Sequence, residues 1–130
     1  MRKIIASIAL LLVLSVYSSG QSKNNWMSGA WHGTGREVAD GSTWTMRLAA
    51  GHGKYEIKYP SLRCGGEWRL IRFRSRRASF AERIRYGASR CEPSGKVVIT
   101  RLKGNRIKFS YYYNGSKKIA SYATLYRRRR

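Results

Sequence analysis

Few side chains in this sequence combine types and spacings that could do chemistry. Glu67 and Glu82 could be neighbours across a sheet, and a glycosidase needs two carboxylates at a set separation, but no surrounding motif marks this pair. His32 and His52 both stand beside glycine at the ends of apolar-alternating segments, and no GxSxG or other nucleophile context accompanies either. Cys64 and Cys91 are the only cysteines, and with two histidines at unrelated spacings they do not make the four-ligand set that zinc requires. An even cysteine pair in an oxidising compartment reads as a disulfide. The reading is therefore of a chain with no catalytic residues, no metal and no cofactor, that is, not an enzyme.

Charge speaks more clearly. The chain carries 27 Lys plus Arg against 6 Asp plus Glu, a formal net charge of +21. Met1, Arg2 and Lys3 precede an apolar run from Ile4 to Val16, and Ser18 and Gly20 are small residues at the minus-three and minus-one positions of a cut before Gln21. That is the anatomy of a secretory signal peptide over 1–20, too short for the roughly 20 residues that a bilayer core demands. Its removal leaves 25 basic against 6 acidic residues, or +19 on 110 residues. A field of this size favours polyanions and disfavours cationic partners.

The arginines are clustered. Arg69, Arg72 and Arg74 crowd the fourth apolar-alternating segment and its following loop, Arg83 and Arg85 alternate along the fifth, and Arg127, Arg128, Arg129 and Arg130 form a terminal tail. These nine are the candidate anion-binding residues, because the planar guanidinium fork bonds phosphate and carboxylate in pairs. The partners expected of an exported basic protein are an anionic envelope component (lipid or polysaccharide), nucleic acid or an acidic protein. Inhibition of an acidic enzyme and carriage of a small ligand are the alternative roles.

The elements that must position these residues follow an all-β pattern. Apolar side chains recur with a period of two, and glycine-bearing breaks interrupt them at short intervals. Eight strands are predicted: around Trp31, Gly33 and Gly35; around Trp44, Met46 and Leu48; through Tyr55, Ile57 and Tyr59; through Trp68, Leu70 and Phe73 with a bulge; through Phe80, Glu82, Ile84 and Tyr86; from Lys96 to Leu102; through Ile107 to Tyr113; and from Ile119 to Tyr126. Asn114 and Gly115 predict a type I′ hairpin between the last two. So many short antiparallel strands avoid exposed edges by closing, so a small up-and-down barrel of about eight strands with one disulfide is the expected fold. The expected order is a signal peptide over 1–20, a polar leader over 21–28, the barrel over 29–126 and a basic tail over 127–130.

Glu82 is in phase with Phe80, Ile84 and Tyr86, which points it inward, and a buried carboxylate must be paired or neutralised. An arginine or backbone amides near the disulfide are its expected partners. Trp31, Trp68 and Glu82 are the candidate lining of a ligand mouth.

The run Tyr59-Pro60-Ser61-Leu62-Arg63-Cys64-Gly65-Gly66, then Phe80, Glu82, Ile84 and Gly87, then Cys91, resembles an extracytoplasmic bacterial domain met as a stand-alone secreted protein and beyond the membrane segment of some serine/threonine kinases. The resemblance implies a secreted or periplasmic location, a disulfide and a compact β domain, and it implies no activity or substrate. Gly29-Ala30-Trp31 is also similar to the first-strand GxW of lipocalin and avidin-type barrels.

Overall fold

A computed structural model describes residues 25–129; the signal peptide expected over 1–20, the expected leader up to residue 24 and Arg130 lie outside the described residues. Eight strands follow one another: β1 (Gly29–Glu37), β2 (Thr43–Gly51), β3 (Lys54–Tyr59), β4 (Cys64–Phe73), β5 (Arg77–Tyr86), β6 (Ser94–Arg101), β7 (Arg106–Tyr112) and β8 (Ser121–Arg127). Each pairs antiparallel with the next, and β8 pairs with β1, so the sheet is a closed barrel. A single 3-10 turn, Pro60–Leu62, interrupts the strands.

Alternation sorts the side chains. Trp31, Met46, Ile57, Phe80, Ile99, Phe109 and Leu125 point inward and are almost wholly removed from solvent. An eight-stranded barrel is just wide enough to be filled by such residues. Stacked and edge-on rings, Trp68 on Phe109 at 5.9 Å and Trp44 against Tyr59 at 5.3 Å, continue the core toward one end.

The two ends differ. At the first, residues assigned from sequence to a polar leader enter the core: Met27 is fully buried and Trp26 nearly so. The Trp31 indole donates to the Met27 carbonyl at 2.9 Å, and the Trp26 indole donates to the Arg74 carbonyl at 2.9 Å while stacking on Phe73. Arg127 lies 4.2 Å over the Trp31 ring and donates to the carbonyls of Ser28 and Trp26. This end is stoppered. At the second, Cys64 at the start of β4 is bonded to Cys91 in the β5–β6 loop, with Cα atoms 6.4 Å apart, within the usual span of a disulfide.

Local details depart from the sequence reading in three places and agree with it in others. The fifth strand does not keep one phase: Gly66 faces Ile84 and Gly65 faces Tyr86, so Arg85 is bulged out and Tyr86 turns to the outer face, half exposed. In β4 the predicted bulge is present, at Ile71 between Leu70 and Arg72. The predicted type I′ turn at Asn114-Gly115 does not form, because only Gly115 has positive φ and β7 and β8 are joined by an eight-residue connection over 113–120. Tyr113 and Ile119 therefore lie in that connection, outside the strands. The two-residue turn with positive φ at both positions is His52-Gly53, between Gly51 and Lys54. A histidine tolerates this conformation better than a β-branched residue does, and the flanking strand register fixes the loop length.

Replacing both Cys64 and Cys91 with alanine is expected to lower the free energy of unfolding by about 3.5 kcal/mol on the chain-entropy model, read by urea denaturation.

Candidate functional site

Two surfaces bring candidate functional side chains together. The first is the outer wall of β4 and β5. Alternation exposes Arg69, Arg72 and Arg83, and register sets Arg69 opposite Ala81, Arg72 opposite Ser79 and Arg83 opposite Glu67. The small partners Ala81 and Ser79 leave room for the long side chains to spread. Arg85, lifted by its bulge, donates through Nε to Glu67 at 3.0 Å, the only ion pair among the described residues. Arg74 stands at the stoppered end of the same wall.

The predicted patch is therefore assembled by the fold, and it extends further than the clustering in sequence indicates. Lys96 on β6 faces Ala81, and Tyr112 on β7 faces Lys96, so Arg69, Ala81, Lys96 and Tyr112 form one cross-strand row. Arg77, Thr100 and Lys108 form another. These members are dispersed along the chain, and only their outward phase plus strand register could have found them. The tail behaves differently: Arg127 is committed to the stopper, Arg128 and Arg129 are exposed, and Arg130 lies outside the described residues.

The second surface is the mouth at the disulfide end. Trp68 and Glu82 meet there as expected, the indole donating to Glu82 Oε2 at 2.8 Å. Trp31 does not join them; it lies beneath the stopper at the opposite end and is 1% exposed. The reason is topological. Trp31 is near the start of β1, and an up-and-down barrel brings the end of β1 to the end of β5. The residue that β1 contributes to the mouth is Glu37, in the same inward phase as Trp31, Gly33 and Gly35.

Glu82 is 4% exposed, and its partners are not the expected arginine or backbone amides. Both Trp68 Nε1 and the Tyr59 hydroxyl donate to Oε2. Burial pushes the Glu82 carboxyl above its ordinary range, opposed by these two donors. Glu37 is also raised by burial, opposed by the Trp44 indole, which donates to it at 2.9 Å, and reinforced by the charge of Asp40. The same burial and the Glu82 charge hold the Tyr59 phenol well above its usual value.

Beside these groups lies a cavity of about 170 Å³. Two of its lining rings pack against glycines: the Trp44 ring occupies the space that a Cβ of Gly35 would need, and the Tyr111 ring does the same at Gly95. Glu67 is on the outer face, opposite Glu56 on β3 and bonded to Arg85, so it does not share a cleft with Glu82. His32 is exposed on the outer face beside Tyr126, and among the described residues no three metal-ligating side chains converge.

Replacing Glu82 with alanine leaves two buried donors without an acceptor and is expected to cost roughly 2–4 kcal/mol, whereas glutamine keeps an acceptor oxygen and costs much less. Because the folded carboxyl is raised, folding takes up a proton. The Glu82 contribution is therefore fullest below the ordinary carboxylate range and is lost as pH rises through the folded value. Glu82→Gln should flatten this fall in stability, with Glu37 supplying the remainder, as measured by denaturation across the acid range.

No known family model matches the chain, and no characterised protein matches it significantly in sequence.

Proposed function

We propose that the protein is an exported, non-catalytic binding domain that holds an anionic partner against the arginine wall of β4 and β5. The observation that carries this reading is the register of Arg69, Arg72 and Arg83. They are exposed, adjacent across two strands, and make no ion pair among the described residues, the Glu67 carboxylate opposite Arg83 being bonded to Arg85. Guanidinium groups left free in this way are ready to take phosphate or carboxylate oxygens in bidentate pairs.

A solvated, soluble surface needs only a few net charges, and +19 is well beyond that. The wall also carries an aromatic component in Tyr112, which extends the Arg69 and Lys96 row. Basic and aromatic groups on one sheet face suit a phosphate-bearing polymer, whose backbone follows the charge while flat groups stack. An anionic envelope lipid or polysaccharide presents the same anionic oxygens in a plane. An acidic protein is the alternative partner, and it would be selected by the same charge complementarity.

Salt dependence provides the test. Binding of the protein to single-stranded DNA and to anionic phospholipid vesicles should weaken steeply as salt rises, because counterions are released on contact. Arg69→Glu/Arg72→Glu/Arg83→Glu should reduce the slope of log K against log salt by roughly 0.7 per lost phosphate contact on single strands. Deleting residues 128–130 should change it less. Equal losses from the two variants, or a slope that the wall variant does not change, would sink the reading.

A further inference from the structure

The mouth at the disulfide end has the opposite character to the wall. Glu37, Glu82 and Glu92, three of the chain's six acidic residues, line its cavity. The remainder of its lining is largely aromatic, and several of the rings are set at right angles. Trp44 is edge-on to Tyr59 and to Phe109, each at an interplanar angle of 84°, and Tyr111 is at 90° to Tyr113. Phe109 and Tyr111 stack nearly parallel, at 20°, so upright and parallel rings together bound the recess.

A count of donors and acceptors shows what the recess can receive. The Trp44 indole is spent on Glu37, the Trp68 indole and the Tyr59 hydroxyl on Glu82, and the Tyr111 hydroxyl on the Ser94 carbonyl at 3.0 Å. Arg90 on the rim donates to the carbonyls of Leu62 and Arg63. Most of the recess's donors are thus turned inward on the protein, leaving the hydroxyls of Tyr113 and Ser121. Glu82 uses only Oε2, and Oε1 has no hydrogen-bond partner among the described residues. No buried side-chain oxygen there is both sealed from solvent and unpartnered, so Oε1 opens onto the cavity. A recess with a free carboxylate oxygen, few free donors and a largely aromatic lining suits a cation.

From this arrangement we infer that the mouth is a binding site for a small organic cation, an alkylammonium headgroup, held by the Glu37 and Glu82 carboxylates within the Trp44, Tyr59 and Tyr111 rings. A volume of about 170 Å³ equals roughly five or six waters by their share of the liquid, which matches a headgroup and not a whole drug-sized molecule. Aromatic faces attract such ions through their quadrupole, more strongly when both are desolvated. The outer wall disfavours approach of a free cation, but that long-range field is screened by salt, whereas the short contacts inside the mouth are screened far less. The site is separate from the arginine wall and does not depend on its function.

Choline and its uncharged isostere 3,3-dimethylbutan-1-ol are the probes, titrated into the protein with tryptophan fluorescence and proton chemical shifts as readouts. Choline should bind saturably and the isostere about tenfold more weakly, the ratio that roughly 1.4 kcal/mol of charge-dependent attraction gives. Glu82→Gln and Glu37→Gln should each weaken choline binding severalfold while circular dichroism shows an intact barrel. Should Glu82→Gln fail to fold, Glu37→Gln alone decides, because its side chain is only partly buried. The wall variant Arg69→Glu/Arg72→Glu/Arg83→Glu should leave the choline affinity essentially unchanged, so loss of one site is distinguishable from loss of the other. Equal binding of choline and the isostere, unaltered affinity in the glutamine variants, or no saturable signal with choline would each overturn the inference.

Discussion

The pairing of β8 with β1 is the constraint on which everything else in this protein depends. Once the sheet closes, every strand has an inside and an outside, and no edge remains to template further pairing. Closure also creates two open ends, whose exposed apolar interiors must be dealt with separately. The protein treats them differently, sealing one with Met27, Trp26 and Arg127 and leaving a small recess at the other.

Closure sorts charge as well as hydrophobicity. Arginine and lysine cannot enter an interior filled with rings, so the strands carry them outward, where alternation and register set them in rows. Acidic residues follow another course. Glu37 and Glu82 occupy inward positions on strands and are tolerated because each accepts an indole N–H, with a phenol added for Glu82. Their raised carboxyls record the cost of that placement. The result is a strongly basic exterior enclosing an acid-lined mouth, two electrostatic environments separated by one strand's thickness.

The sequence revealed the fold well and the sites unevenly, for physical reasons. Period-two alternation is a local property, so the strands, the closed barrel and the inward phase of Glu82 could all be read from spacing. The Cys64–Cys91 pair followed from an even count, and the bulge in β4 from a phase slip at Leu70 to Phe73. What spacing alone does not carry is which end of the barrel a residue faces. Trp31 and Glu82 were grouped by chemistry, yet direction along antiparallel strands sends them to opposite ends. Glu37 carried the same inward-phase signal as Glu82 and could have been found by continuing the alternation of β1 to its end. Trp26 and Met27 escaped notice because a two-residue stopper has no period. The break at Gly51-His52-Gly53 was legible from its glycines, whereas Asn114-Gly115 has the stronger local preference for a two-residue turn but sits in a longer connection.

The stopper has one more consequence. Asn25 and Met27, joined by a 2.9 Å hydrogen bond, begin the described chain at the sealed pole, and Arg128, one residue before its end, is fixed there as well by its amide, which donates to the Ala30 carbonyl at 2.7 Å. Both ends of the described chain thus lie at one pole. A fusion tag, a surface linkage or a neighbouring domain joined directly before Asn25 or after Arg129 would hold the barrel by its closed base, with the acidic recess directed away from the point of attachment like the bowl of an upright goblet.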